Sequence, residues 1–248
     1  MKKLLGFSIF LVFVLIASLT AEAKVTLPAI FSDNMVLQQN TQVNVWGKAA
    51  PGEKVTVKAS WLDKAVTAKA AANGKWTVKL KTPKAITNQS VTVSGENEIT
   101  INNVLIGEVW LCTGQSNMEF PVSRHPDVKW NTGMLNEAEE LKDADYPEIR
   151  LFHVKHQLAH EGELDDCEGE WLVCNPKNLY DFSAVGFVFG RKLYKELKMP
   201  VGLIQSTWGG THAESWTKLD VMKKNPLYAD VLKDFALEGV KQQKNYCK

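Results

Sequence analysis

The sequence predicts a small all-β sandwich followed by an α/β domain, with a mostly parallel sheet in a three-layer arrangement. From Lys24 to about Asn103, short segments alternate apolar and polar residues, and no segment of helical length interrupts them. After Val104, strand-like apolar segments alternate with segments whose apolar residues recur at helical spacing. The first pattern is typical of β-sandwiches and the second of parallel sheets flanked by helices. We therefore expect a β-sandwich domain at 24–104 and an α/β domain at 105–248.

The first 23 residues have the pattern of a secretory signal peptide. Lys2 and Lys3 precede an apolar run at 4–19, and residues 21–23 (AEA) form a small-residue cleavage site. A retained membrane anchor is the alternative, but the run is shorter than the roughly 20 apolar residues of a spanning helix. We expect a mature chain that begins at Lys24, is exported to the periplasm or the extracellular space, and no longer contacts the membrane.

In the predicted sandwich, turn residues separate the strands. The alternating segments are residues 43–47, 54–59, 76–80, 90–93 and 99–101. Asn73-Gly74 is a strong hairpin signal between two of them. Trp46, Trp61 and Trp76 could stack on sugar rings, but their placement favours core positions.

In the predicted α/β domain, three strands and three helices can be assigned. The strands are expected at 106–112, 149–154 and 201–204, and the helices at 134–141, 182–197 and 220–240. Parallel sheets covered by helices on both faces usually have more strands than this. The sequence therefore indicates an incomplete α/β domain.

The composition excludes several classes of partner and cofactor. The formal net charge is +1 at pH 7, which gives no electrostatic reason to expect nucleic acid as a partner. Of the four cysteines, Cys167 and Cys174 flank a predicted turn and could pair after export, but sequence does not fix the connectivity, and buried thiols or a single bridge are the favoured interpretation. The sequence contains no phosphate-binding loop, dinucleotide fingerprint or zinc motif, so we expect no cofactor and no metal.

Three stretches rich in glycine and small polar residues adjoin the predicted strands and helices. They are residues 114–117 (GQSN), 182–186 (FSAVG) and 208–211 (WGGT). The first and third follow apolar strands, and ligands of open α/β sheets bind beyond the carboxyl ends of strands. A serine there attacks an ester carbonyl when a base removes its proton, and nearby backbone amides stabilise the oxyanion. Each stretch alone is equally consistent with an ordinary turn.

Taken together, the stretches carry a family resemblance. "GEVWLCTGQSNMEF", "FSAVGFVFGRKL" and "VGLIQSTWGGTHAESW", in this order, resemble the sialate O-acetylesterase group of SGNH-type hydrolases. The segment beginning "LPAIFSDNMVLQQ" is similar to the leading β-domain of that group, so the resemblance runs from about Val25 to about Trp216. It implies a serine-dependent carbohydrate O-acetylesterase that acts without a cofactor on an O-acetylated sugar, sialic acid being favoured.

The resemblance also implies roles for individual residues. Ser116 matches the nucleophile, and Gly186, Gly210 and Thr211 match positions that build the oxyanion hole. Five further positions are candidates for the substrate site: Gln115, Asn117, Glu119, Glu214 and Trp216.

The sequence departs from the family pattern at the catalytic base. Members carry a histidine and an aspartate in a downstream Asp-x-x-His block, and none of the five histidines of this sequence stands in such a block. His212 follows the Gly-Gly-Thr turn, but position in a motif does not make a base; geometry does. Loss of one member of a catalytic Ser-His-Asp triad typically lowers the reaction rate by several orders of magnitude. We therefore expect this chain alone to be inactive or nearly so, and to lack the catalytic histidine and aspartate.

Two alternatives remain open from the sequence. One is a non-catalytic glycan-binding or scaffolding protein derived from a truncated esterase. The other, within the same enzyme class, is an esterase of the acetylxylan type. No sequence feature sets the oligomeric state, the disulfide pairing or the acetyl position that is cleaved.

Overall fold

The computed structural model of the chain describes residues 24–124, 133–158 and 163–234. The predicted signal peptide, Cys247 and the last residues of the helix expected at 220–240 lie outside these ranges. The strands are β1 (Val36–Gln38), β2 (Gln42–Lys48), β3 (Lys54–Ala59), β4 (Val66–Lys69), β5 (Lys75–Lys81), β6 (Ile86–Ser94), β7 (Glu98–Gly114), β8 (Tyr146–His153), β9 (Trp171–Cys174) and β10 (Val201–Thr207). The α-helices are α1 (Ser116–Glu119), α2 (Glu137–Lys142), α3 (Pro176–Leu179), α4 (Ala184–Leu197) and α5 (Leu219–Lys223).

The strands form one large mixed sheet and one two-stranded sheet. The large sheet has the order β4-β3-β6-β7-β10-β8-β9, and β1 pairs in parallel with β7. The pairs β7–β10 and β10–β8 are parallel, whereas β9 runs antiparallel to β8. β2 and β5 form the second, antiparallel sheet. The predicted α/β fold is confirmed as a mixed sheet, in which β7, β10 and β8 pair in parallel and β9 does not.

β7 belongs to both the antiparallel part and the parallel part of the large sheet. Its first residues pair antiparallel with β6, and residues 108–114 pair in parallel with β10. The boundary expected at residues 104–105 therefore lies inside one continuous strand of 17 residues.

Strict alternation of buried and exposed residues builds the core of the leading part. In β5 the side chains of Trp76, Val78 and Leu80 point inward, and the four lysine and threonine positions between and beside them are exposed. This row and the buried residues of β3 and β6 belong to one hydrophobic cluster. Period-two burial of this kind arises because successive side chains of a strand point to opposite faces.

The two faces of the parallel strands have different coverings. Ile149, Leu151 and Leu203 belong to a cluster that includes Phe187 of α4. The opposite face carries Phe152, which joins the core of the leading β part. The expectation of helices on both faces is therefore not met in the part of the chain that the structure describes, because the leading β segment occupies the second face.

Polar contacts reinforce this second face. The indole Nε1 of Trp171 donates to the carbonyl oxygen of Ile30 at 2.8 Å. The buried guanidinium of Arg150 donates from Nη1 to Oδ1 of Asn34 at 3.1 Å and from Nη2 to Oδ1 of Asn103 at 3.4 Å. Since both asparagines belong to the leading part, these bonds fix it against the parallel strands.

α4 begins and ends close to its predicted limits. Ser183 Oγ accepts the hydrogen bond of the Gly186 amide at 3.0 Å, which is a typical cap for the first turn. At the other end Lys198 takes a left-handed conformation with φ 54°, and Pro200 follows. Pro200 cannot continue a helix, and it leads directly into β10.

The prediction of one continuous helix at 220–240 is wrong in its first part, where the helix is interrupted. α5 ends at Lys223, a 3₁₀ turn follows at Pro226–Tyr228, and a helix resumes at residue 229. Asn225 precedes Pro226 and has φ −115° and ψ 115°. The residue before a proline is disfavoured in the helical region, so the apolar periodicity could not be continued through this point.

Three further expectations concern side chains. Cys112, Cys167 and Cys174 are free thiols, so the pair considered between Cys167 and Cys174 is not formed. Trp76 is a core residue as expected, but Trp46 is 41% exposed and lies edge-on against Phe31 with ring centroids 4.6 Å apart. Trp61 lies in a turn after β3 and is partly buried.

Candidate active site

The GQSN and WGGT stretches lie side by side, as the strand-end argument predicts. β7 ends at Gly114 and β10 ends at Thr207, and these two residues are paired in the parallel register. The amide of Trp208 continues the contact by donating to the carbonyl oxygen of Gly114 at 3.1 Å. Two loops are therefore held at one edge of the sheet, where open α/β sheets bind their ligands.

Ser116 is the first residue of α1 and is exposed. Its Oγ donates to Oε1 of Gln115 at 2.9 Å. The carbonyl oxygen of Gln115 accepts the amides of Met118 and Glu119, which closes the short helix over the serine. Among the described residues the Ser116 amide has no acceptor, and Asn117 beside it is exposed without a side-chain hydrogen bond.

Residues 208–210, called the GG turn below, approach Ser116 closely. A Cβ added to Gly209 would lie 3.4 Å from Cβ of Ser116 and 2.6 Å from Oε2 of Glu119. Any side chain at 209 would therefore push against the carboxylate and crowd the serine. Gly210 has φ +77° and open space around it, and its amide has no acceptor within the described ranges.

The carboxylate of Glu119 links the GG turn to a histidine. Oε2 of Glu119 accepts the amide of Gly209 in a short hydrogen bond. Oε1 lies 2.9 Å from Nε2 of His156, and this same nitrogen lies 2.8 Å from the carbonyl oxygen of Thr207. The imidazole of His156 also stacks on the indole of Trp208, with centroids 4.2 Å apart and an interplanar angle of 4°.

His156 is not among the residues that the sequence predicts for the site. β8 pairs with β10 so that His153 is opposite Gln205, which brings the residues just after β8 beside the GG turn. The strand-end argument applied to β8 would have found it, but the sequence does not state which strand neighbours β10.

Gly186 lies at the start of α4, close to α1 but inside the protein. The Ala184 amide donates to the carbonyl oxygen of Phe120 at 2.8 Å, which joins the two helices. The Gly186 amide donates to Ser183 Oγ, and a Cβ on Gly186 would lie 3.1 Å from Sγ of Cys112. The structure thus places Gly186 in a buried position, with its amide bonded within the helix cap.

The remaining sequence candidates follow the GG turn. Oγ1 of Thr211 donates to the carbonyl oxygen of Trp208 at 2.6 Å and accepts from Nε1 of Trp216 at 2.9 Å. Glu214 and Trp216 belong to the 3₁₀ helix Ala213–Trp216, and the Trp216 side chain is 42% exposed. His212 is exposed at the start of this helix.

The pKa of the neighbouring histidine, His153, lies below its ordinary value. Desolvation lowers it and His156 lowers it further, while the carboxylates of Glu119 and Asp181 act in the opposite direction. In the described part of the chain, no group of three or more His, Cys, Asp or Glu side chains is arranged to hold a metal ion. No helix within the same ranges has the length and apolar character needed to cross a membrane.

Comparison with known proteins identifies relatives of this arrangement. The family model for the carbohydrate esterases described as sialic acid-specific acetylesterases matches residues 106–244, more than half of the chain. The sialate O-acetylesterase of Mus musculus is 33% identical over 215 residues, covering 79% of this chain and 38% of the relative. That of Homo sapiens is 31% identical over 205 residues, covering 75% and 37%.

A solved structure agrees with the sequence relatives. The crystal structure of a carbohydrate acetylesterase from Xanthomonas citri superposes with a TM-score of 0.69 and 32% identity, over 78% of this chain and 42% of the other. The chain thus spans well under half the length of the relatives that it matches. With Ser116 and the GG turn inside the matched region, the chain belongs to the carbohydrate esterase family of sialic acid-specific acetylesterases.

Proposed function

We propose that the protein is a serine-dependent carbohydrate O-acetylesterase. One observation carries the proposal: Ser116 is exposed at the carboxyl end of β7, and the GG turn at the end of the neighbouring strand lies against it. This is the arrangement that a serine nucleophile and its oxyanion donors need. The family match over residues 106–244 supports the same reaction.

In the proposed reaction Ser116 Oγ attacks the acetyl carbonyl carbon and gives its proton to a base. The carbonyl oxygen becomes an oxyanion, and the unpaired amides of Ser116 and Gly210 are the best placed donors to it. Collapse of the intermediate breaks the bond to the sugar oxygen, which takes a proton and leaves as a hydroxyl. Water then attacks the acetyl-serine, releasing acetate and restoring Ser116.

In the proposed oxyanion hole, Gly186 and Thr211 already have hydrogen-bond partners. The Gly186 amide would first have to exchange its bond to Ser183 Oγ, and Oγ1 of Thr211 already donates to Trp208. The support for Thr211 is its place beside Gly210 in the same turn.

For the substrate we propose an O-acetylated sugar, and more narrowly an O-acetylated sialic acid. The family description and the names of the mouse and human relatives support the narrower proposal. The exposed indole of Trp216, two residues from Glu214, offers an apolar surface with polar neighbours to a sugar ring. Acetylated xylan is the alternative within this class.

We further propose that the catalytic histidine and aspartate lie outside the described residues. Within those ranges the hydrogen-bond partner of Ser116 Oγ is Gln115, and no histidine bonds to it. None of the five histidines of the sequence stands in an Asp-x-x-His block, so the proposal includes little activity for the chain alone.

The proposal for the whole chain includes its export and domain division. The composition of residues 1–23 supports cleavage and export. The alternating burial of the leading strands supports a β-sandwich at 24–104, which shares β7 and part of its core with the SGNH-type domain that follows.

The test supplies the missing base from solution. Hydrolysis of p-nitrophenyl acetate is measured with and without imidazole, and the Ser116→Ala protein is the blank for the reaction of imidazole itself. We expect slow Ser116-dependent hydrolysis that imidazole accelerates, and mass spectrometry should find the acetyl group on Ser116.

Two outcomes would contradict parts of the proposal. Equal rates and no acetylation in both proteins would exclude Ser116 as the nucleophile. Fast Ser116-dependent hydrolysis without imidazole would show that the base is present after all. Acetate release from O-acetylated sialic acid compared with acetylated xylan then decides between the two substrate classes.

A further inference from the structure

The side chain of Glu119 joins three parts of the candidate site. It stands on α1, three residues after Ser116, and its side chain is 20% exposed. One carboxylate oxygen accepts the Gly209 amide, and the other contacts Nε2 of His156. Hydrogen bonds to a carboxylate are stronger than those between neutral groups, so the GG turn is tied to the helix that carries the serine.

His156 holds the GG turn from a second direction. Its ring stacks on Trp208, and its Nε2 lies 2.8 Å from the Thr207 carbonyl oxygen, at the end of β10. A carbonyl oxygen can only accept, so Nε2 carries the hydrogen in this contact. The ring thus contacts both the residue before the turn and the first residue within it.

Two adjacent glycines make such anchoring necessary. Glycine has the widest choice of backbone conformations, and Gly210 has a positive φ of +77°. No side chain of residues 209–210 can hold the turn by packing. Fixing the Gly209 amide on Glu119 also limits the orientation of the next peptide unit, which carries the Gly210 amide.

We infer that Glu119 and His156 are positioning residues, which together hold the GG turn against Ser116 so that the Gly210 amide is kept in place for an acyl oxygen. The contacts themselves do not depend on the chemistry. The consequence for the acyl oxygen rests on the proposed function.

The test measures the anchoring directly in the full-length protein. Amide hydrogen exchange at Gly209 is followed by NMR in the wild type and in Glu119→Ala, with Glu119→Gln as the conservative variant. We expect exchange at Gly209 to be about tenfold faster or more in Glu119→Ala, because a charge-assisted hydrogen bond is lost. Glu119→Gln should keep part of the protection, since its amide oxygen still accepts.

The matched control is Glu196→Ala. Glu196 is an exposed helical glutamate whose carboxylate pairs with Lys192 at 2.8 Å, far along α4 from the site. This variant should leave exchange at Gly209 unchanged.

A second readout separates positioning from general packing. The ¹⁵N shifts of the His156 ring should show the Nε2–H tautomer in the wild type, and the Nε2 signal should shift in Glu119→Ala, because that nitrogen loses one of its two acceptors. Unchanged exchange at Gly209 in Glu119→Ala, or an Nδ1–H tautomer in the wild type, would overturn the inference.

The result is independent of the imidazole experiment. A protected Gly209 in a protein that never acetylates Ser116 would keep the positioning role and refute the proposed nucleophile. Imidazole-dependent acetylation together with an unprotected Gly209 would keep Ser116 as the nucleophile and refute the positioning role of Glu119 and His156.

Discussion

At the scale of single residues, Gly209 and Gly210 differ in what surrounds them. A side chain at 209 meets the Glu119 carboxylate at 2.6 Å, whereas one at 210 meets nothing within 4 Å but must accept φ +77°. Overpacking typically costs about 1–3 kcal/mol, and a left-handed conformation of a non-glycine residue costs about 1–2 kcal/mol. Both Ala variants should therefore lower the free energy of unfolding by similar amounts, which urea titration will measure.

The two variants should nevertheless differ in their effect on the site. Gly209→Ala displaces Glu119 and should shift the NMR signals of the His156 ring, whereas Gly210→Ala should leave them in place. Identical ring signals in all three proteins would show that Glu119 and His156 are not coupled through the turn.

The cysteines give a second prediction at this scale. Burial raises the pKa of Cys174 to about 12 and raises that of Cys112, and burial together with the charge of Asp166 raises that of half-buried Cys167. The thiolate is the reactive form, so at pH 8 we expect iodoacetamide to modify Cys167 slowly and the two buried thiols more slowly still. Peptide mapping by mass spectrometry reports each residue separately, and urea should equalise the rates.

The same shift predicts how stability changes at high pH. An unfolded cysteine ionises near the ordinary value of 9.0, whereas folded Cys174 keeps its proton up to about pH 12. The stabilisation due to the neutral thiol is therefore complete below pH 9 and is lost between these two values. Modification of Cys174 as fast as Cys167 in the native protein would contradict its burial.

At the scale of elements, the pair Glu140–Arg191 fixes α2 to α4. Arg191 donates to both carboxylate oxygens of Glu140, and its guanidinium lies 4.9 Å from the centroid of the Phe187 ring. Hydrogen bonds from Arg191 hold the pKa of Glu140 below its ordinary value. Because the pair is mostly buried, Glu140→Gln should destabilise the protein by about 2 kcal/mol at pH 7.

The pH dependence provides the check on this pair. A carboxylate with a lowered pKa stabilises the fold above its unfolded value of 4.5, and this contribution is lost as the pH falls through the lower folded value. The difference in melting temperature between wild type and Glu140→Gln should therefore shrink below about pH 4.5. Glu196→Gln, which breaks an exposed pair, is the control and should melt as the wild type does.

Elements with a complete local pattern could be predicted from the sequence. β3 and β5 alternate over their whole length and were found within a residue, and α4 was found from its periodicity and Pro200. β4, β9 and α1 have four residues each, too few to show a period. The periodicity over 220–240 predicts one helix, but Pro226 interrupts it.

The candidate site was predictable to the same extent as its elements. Ser116 and Gly209 follow strands that the sequence shows, so their proximity follows from the rule for strand ends. His156 comes close to the site only because β8 pairs with β10 on the side opposite to β7. The order of strands in a sheet is a property of the whole fold. Gly186 is predicted to contribute to the oxyanion hole. Its amide donates to Ser183 Oγ here, so that role stays a prediction.

At the scale of the whole molecule, one core and one strand cross the boundary between the two predicted domains. Phe152 and Trp171 belong to the cluster built by the leading strands, and β7 passes through residues 104–105 without a break. A division into independently folding parts would require few contacts across the boundary. The described part of the chain should instead unfold as one cooperative unit.

This can be measured with two proteins and two probes. Urea unfolding of the full chain should give coincident single transitions by tryptophan fluorescence and far-UV circular dichroism. A fragment of residues 24–104 lacks the partners of β1 at Leu105–Gly107 and the cover of Phe152 and Trp171, so it should show no cooperative transition. Phe152→Ala in the full chain should shift both probes together, by about 3–5 kcal/mol. Two separate transitions, with the fragment melting at the midpoint of one of them, would show instead that the leading β part folds on its own and that β7 is shared without coupling the two parts.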